Sequence, residues 1–255
     1  MTGTSRAGMA SGRRGTVARR WLLAAGAALV VASLVPPLST LARRYLIAET
    51  AQFSLLSMVC PALIVLGAPW PALRLSGWAG RLAVSRDRGP AFQRAAVLLA
   101  AFIAMSVAWR LPPVLDALAR LPGLGAAEAV TLLAAGTGLW LELVRSPPLA
   151  PRVTPPQRAA LAAVAMWSVW IAAYALGFSS GPQVHAYTGA AVAAQEAAVG
   201  LVWAVAGACF LPVIFATLVS WLKDGDIGEE LRREFPSARP GVRGWDRPQR
   251  RRGGR

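Results

Sequence analysis

Three carboxylates are the residues of this sequence best placed to do chemistry. Glu49, Glu128 and Glu196 each stand in the first turns of a long apolar run, and Gln52 and Gln195 accompany two of them. Glu49 and Gln52 are three residues apart, which puts both on one face of a helix. A carboxylate inside a stretch long enough to cross a bilayer is costly unless a partner answers it, so each of these acids raises a functional question. The nearest cationic candidate is Arg110, with Arg43 and Arg44 behind it. Two readings are open: the acids converge on one polar site, or they sit apart at headgroup depth, hydrated and favoured by the positive helix N-termini.

Other reactive side chains are few. With His185 alone, the chain holds neither a two-imidazole haem nor a multi-histidine metal centre, and His185 reads as a solvated loop residue. Cys60 and Cys209 both fall in apolar runs and form no CxxC motif. At about 1.5 Å per residue they lie roughly 16–20 Å below Glu49 and Glu196, near mid-membrane. Helical rotation brings Cys60 back to the face of Glu49 and turns Cys209 away from that of Glu196. Both read as small core residues, with a soft Cu(I) site including Met58 or Met105 as the alternative. One histidine and a few interfacial acids assemble no nucleophile, base and orienting group, so the chain is expected not to be an enzyme, and no catalytic residue or metal ligand is assigned.

The elements that must position these groups follow from composition. Of 255 residues, 55% are hydrophobic and only 15% charged, which describes a polytopic membrane protein rather than a globular surface. A net charge of +15 would suggest nucleic acid if it covered a folded face. It lies instead in tails and loops, so the expected partner is the lipid bilayer and not nucleic acid.

Residues 1–20 read as a disordered basic tail, 21–222 as a six-helix transmembrane domain and 223–255 as a basic C-terminal tail. The first span runs from Trp21 and meets Pro36 and Pro37 near its far end. A cleaved signal peptide ending at Val31-Ala32-Ser33 is the rival reading. The second span is Tyr45 to Ala68, where Pro61 frees a backbone carbonyl that must find another partner. A basic loop with Arg74, Arg81, Arg86, Arg88 and Arg94 precedes a third span, Ala91 to Trp109. The amphipathic segment that follows, to Leu121, either lies along the interface or is an ordinary connecting helix. Spans four to six are expected at about Leu124–Val144, Arg158–Phe178 and Ala190–Leu222, with a short helix over Asp226–Phe235 in the tail. Trp21, Trp70, Trp109, Trp140 and Trp221 read as an interfacial belt, and Gly136-x-Gly138 as a close-packing contact.

With six spans, 23 of the 27 Lys and Arg fall on the side of both termini, leaving only Arg43, Arg44, Arg110 and Arg120 on the other. Both termini are therefore expected in the cytoplasm. The same alternation sets Glu49, Gln52, Glu128, Gln195 and Glu196 at one depth near the outer leaflet, beside Arg110. The expected fold class is all-α, a polytopic transmembrane helix bundle.

From Tyr45 to about Trp221 the sequence resembles the bacterial multi-span cytochrome c oxidase assembly factors of the CtaG type. Their H-x-x-Q-H helix, followed by P-x-L-x-x-L-G-x-P, is similar to Glu49-x-x-Gln52-Phe53 followed by Pro61 to Pro69. Their W-H-L-P motif resembles Trp109-Arg110-Leu111-Pro112, with Asp116 after it. Their H-x-x-E-H helix is similar to Gly125-x-x-Glu128-Ala129 followed by Trp140, and their D-Q…W helix to Ala194-Gln195 and Trp203. The departures lie in the chemistry: Glu49, Phe53, Arg110, Gly125 and Ala129 stand where those motifs carry histidine, and Ala194 where they carry an acid.

The resemblance implies a bacterial plasma (inner) membrane protein that supports biogenesis of a haem-copper oxidase, with oxidase subunits or other assembly factors as partners. It also implies copper, although most of the ligands expected for it are absent from this sequence. The expected role is a non-catalytic scaffold with an outward polar cluster of Glu49, Gln52, Arg110, Glu128, Gln195 and Glu196. The alternative is a small transporter or channel that draws cations to its outward acids, although few polar groups stand near the bilayer midplane.

Overall fold

In lipid an apolar segment has only its own backbone to bond with, so runs of about 20 such residues close into helices. The computed structural model describes residues 4–70, 77, 80–81, 83–84, 90–121, 123–177, 183–189 and 191–224, and among these it is helical with no strand element. Six helices are long and apolar enough to cross a membrane. Span one is the second half of a helix running Thr4–Leu34, and span two covers Leu46–Leu66. Spans three to six are Ala91–Arg110, Leu124–Leu143, Pro155–Gly177 and Val192–Asp224. Most of the second loop, including Arg74, Arg86 and Arg88, and residues 225–255 with the expected helix over Asp226–Phe235, lie outside the described residues.

The chain's start differs from expectation. Residues 4–20 are helical and continuous with span one instead of an irregular tail. Once the apolar half has paid the cost of nucleation, each preceding residue adds a hydrogen bond for little further entropy, and no proline interrupts. The helix stops at Leu34, leaving out Val35, the residue before Pro36, which proline disfavours in helical conformation.

Span two is the hub. Inside the bundle 61% of its window is buried, against 11% for span one and 17% for span three. It is not one regular helix: α-helix over Leu46–Ser54 gives way to a π-helical stretch, Leu55–Val59, before α-helix resumes at Cys60–Leu66. Pro61 causes this, since it has no N–H to give the carbonyl of Ser57 and its ring crowds that turn. Span four closes on the gap. A Cβ added at Gly136 would overlap the Ser57 carbonyl oxygen and lie 2.8 Å from Pro61 Cγ, so only glycine admits this approach. A second close contact holds span one, where a Cβ at Gly67 would come 2.6 Å from the Leu23 backbone nitrogen.

Spans three to six pack against this axis around Met58, Phe102, Trp140, Ala165 and Phe210. Trp140 stacks on Phe210 at 5.5 Å, and Phe102 meets the same ring edge-on at 6.1 Å. Trp170 and Trp203 tie spans five and six by exchanging indole N–H bonds to each other's carbonyls, both 3.2 Å. The segment after span three is a connecting helix, Pro112–Arg120, that caps one end of the bundle: Leu115 and Leu118 are buried against Leu46, Val184, Tyr187 and Ala198.

Candidate functional site

Tyr45 is extended, and the helix that starts at Leu46 turns Glu49, Thr50 and Phe53 straight into the bundle. From the end of span three Arg110 enters at the same level, just before Leu111 breaks to extended backbone ahead of Pro112. Both side chains are sealed off, Glu49 at 4% exposure and Arg110 at 6%. Arg110 Nη1 donates to Glu49 Oε2 at 2.9 Å and to Thr50 Oγ1 at 3.1 Å, and Nη2 donates to the same Glu49 oxygen. Phe53 supplies the floor, its ring centroid 4.4 Å from the guanidinium carbon, a cation–π contact worth more in a desolvated site than at a surface.

Glu128, in the second turn of span four and equally buried, brings a second carboxyl within side-chain hydrogen-bond reach of Glu49. One guanidinium therefore faces two carboxyl groups. Glu49 Oε1 and Glu128 Oε1 find no donor among the described residues, and neither does the buried Tyr187 hydroxyl find a partner. Facing carboxyl oxygens in a poorly screened interior repel unless a proton or a cation stands between them. Glu49, Gln52, Glu128 and Tyr187 line one cavity of about 400 Å³, and the exposed Arg43 and Val130 stand at its rim. Burial, reinforced by the nearby Glu49 charge, pushes the Tyr187 phenol above its ordinary range, so it stays protonated and able to donate.

The loop carrying Tyr187 is held from both sides. Asp116 Oδ1 accepts the backbone N–H groups of His185 at 2.9 Å and Ala186 at 2.8 Å. Gln195 Oε1 accepts those of Gln183 at 2.7 Å and Val184 at 3.3 Å. Thr188 N–H closes the ring of contacts on the Arg44 carbonyl at 2.7 Å.

Of the six residues expected in an outer cluster, the structure brings Glu49, Gln52, Arg110 and Glu128 together. Gln195 is buried, but it anchors the loop and does not line the cavity. Glu196 is exposed and joins nothing in the cluster. Adjacent helical residues point about 100° apart, so span six can turn only one of this pair inward, and the uncharged amide is the cheaper one to bury. Arg43 and Arg44 take no part in the ion pair. Sequence reasoning missed Thr50 and Tyr187. Thr50 follows Glu49 and needed only a helical wheel, whereas Tyr187 sits in an aperiodic loop that gives no signal.

The donors here are carboxyl, amide and phenol oxygens with a guanidinium already engaged, and copper favours imidazole, thiolate or thioether. Among the described residues no three His, Cys, Asp or Glu side chains come together. Cys60 is buried within span two, and Cys209 lines a separate groove nearer the opposite end. These residues do not fit copper.

Comparison with known proteins gives one result. A family model, cytochrome c oxidase caa3 assembly factor, matches residues 2–224. No curated protein and no solved structure matches.

Proposed function

From the premise that the chain belongs to the cytochrome c oxidase caa3 assembly factor family, which the match over residues 2–224 shows, we propose that its buried acid pocket is where it engages the oxidase. The protein is a membrane-spanning helical assembly factor for cytochrome c oxidase. In this reading it resides in the bacterial inner membrane with both termini in the cytoplasm, and it acts without catalysis. The observation that carries the reading is the imbalance of two buried carboxyl groups against one buried guanidinium at a cavity that opens beside the exposed Arg43 and Val130. A basic or N–H-bearing segment of an oxidase subunit, or of another assembly factor, would supply the donor that Glu49 Oε1 and Glu128 Oε1 lack. Copper handling is not part of the proposal, because the donor set does not suit that metal.

The transporter or channel alternative is not favoured. Glu196 does not join the acids, and Glu49 is already closed by Arg110 and Phe53. Affinity purification of the tagged protein from native membranes provides the test. Wild type should retain oxidase subunits and Glu128→Gln should lose most of them at equal expression. Equal recovery by both would overturn the assignment of this pocket, and cation flux in reconstituted vesicles would revive the transporter.

A further inference from the structure

At the opposite end of the bundle a second cavity of about 640 Å³ opens between spans two, four and six. That size lies within the roughly 300–1,000 Å³ common for ligand sites. Its walls are apolar along most of their length, with Leu63, Leu66, Leu143 and Val213, and one end carries two arginines, Arg145 and Arg158. Arg145 is exposed just past the end of span four, and Arg158 is half-buried in the first turn of span five. Among the described residues neither makes a salt bridge, and the buried Arg158 Nε has no hydrogen-bond partner. Two guanidinium groups on one rim repel each other unless an anion lies between them, and the Arg158 Nε–H is left without an acceptor.

We infer that this groove holds one anionic phospholipid, its phosphate clamped by Arg145 and Arg158 and an acyl chain laid along the apolar wall. Charge complementarity selects the occupant. A groove that changes from apolar to doubly cationic where a spanning helix reaches water matches an amphiphile with an anionic head. Guanidinium suits phosphate because its N–H groups bind two oxygens at once. Trp140 adds a third point. It lines the groove in the last turn of span four, before the chain leaves the helix for Arg145, and its buried Nε1–H has no hydrogen-bond partner. An ester oxygen of a glycerolipid whose phosphate sits on the arginines would supply the acceptor that this N–H lacks.

The test uses the full chain in detergent, with retention of phosphatidylglycerol against phosphatidylcholine of the same acyl chains read by native mass spectrometry. Wild type should prefer phosphatidylglycerol by at least about tenfold. The double variant Arg145→Gln/Arg158→Gln should erase that preference, whereas Arg152→Gln, in the same loop but away from the groove, should leave it intact. Ala216→Phe, which fills the groove without touching either charge, should lose lipid of both kinds. The inference fails if phosphatidylcholine binds as well as phosphatidylglycerol, if Arg152→Gln weakens binding as much as the double variant, or if Ala216→Phe binds like wild type. Monodisperse elution and an unchanged unfolding temperature certify each variant as folded.

Discussion

The two ends of this bundle handle buried charge in different ways. Near the basic loop, Glu142 in the last turn of span four is paired with Arg94 of span three at 3.0 Å, and the Arg94 side chain keeps 24% of its surface exposed. The acid meets a base that still reaches water. At the other end Glu49 is paired with Arg110 under nearly complete burial, and Glu128 adds a second buried acid that takes no salt bridge among the described residues, the exposed Arg43 standing only at the cavity rim. The first arrangement closes on itself and serves as a fastening. The second leaves acceptor capacity directed into a cavity, which is costly for a scaffold and useful for binding.

Substitutions can break that contrast, and the largest effect is expected at Arg110. Arg110→Met strands two acids in the interior and should cost about 3–5 kcal/mol, seen as a sharply lowered unfolding temperature in detergent. Adding Glu49→Gln to it should recover much of the loss, because the uncompensated charge rather than the missing contact dominates. If the single variant proves as stable as wild type, the site is already open to water and the contrast disappears.

Gly136→Ala comes next and acts on both ends together, since it pushes span four off Ser57 and Pro61 of span two. Overpacking of this kind costs about 1–3 kcal/mol. An unchanged melting curve would show that the π-helical stretch can yield without loss. Glu142→Gln should cost only about 1 kcal/mol, because Arg94 can turn to solvent and is screened there. A loss as large as that of Arg110→Met would make the two ends equivalent. The smallest stability effects are expected for Glu128→Gln and Tyr187→Phe, which alter groups whose unpaired atoms contribute little to the fold. Either of them lowering the melting temperature as much as Gly136→Ala would give those atoms a structural role.

The spans were legible in the sequence because a bilayer enforces length and apolarity, and for spans two to six the helical bounds fall within a few residues of those the apolar runs suggest. Alternation of the spans also set Glu49, Arg110 and Glu128 at one depth, which was enough to propose that they meet. Depth does not give rotation, so Gln195 and Glu196 were both expected in the cluster although only Gln195 faces inward. The irregular turn before Pro61 was legible as an unmet carbonyl, but its solution, a bare Gly136 on another span, needed three dimensions. Tyr187 was invisible for the same reason: its loop is placed by Asp116, which is distant in sequence, and by Gln195, with no periodic signature.

The most direct measurement is cytochrome c oxidase activity in cells whose own copy is replaced by Glu128→Gln, with Glu142→Gln as the matched control and membrane levels equalised. The account predicts that oxidase activity falls severalfold with Glu128→Gln while Glu142→Gln supports the wild-type level. Full activity in the Glu128→Gln strain would contradict it, and would reduce the buried acids to packing in a hydrophobic scaffold.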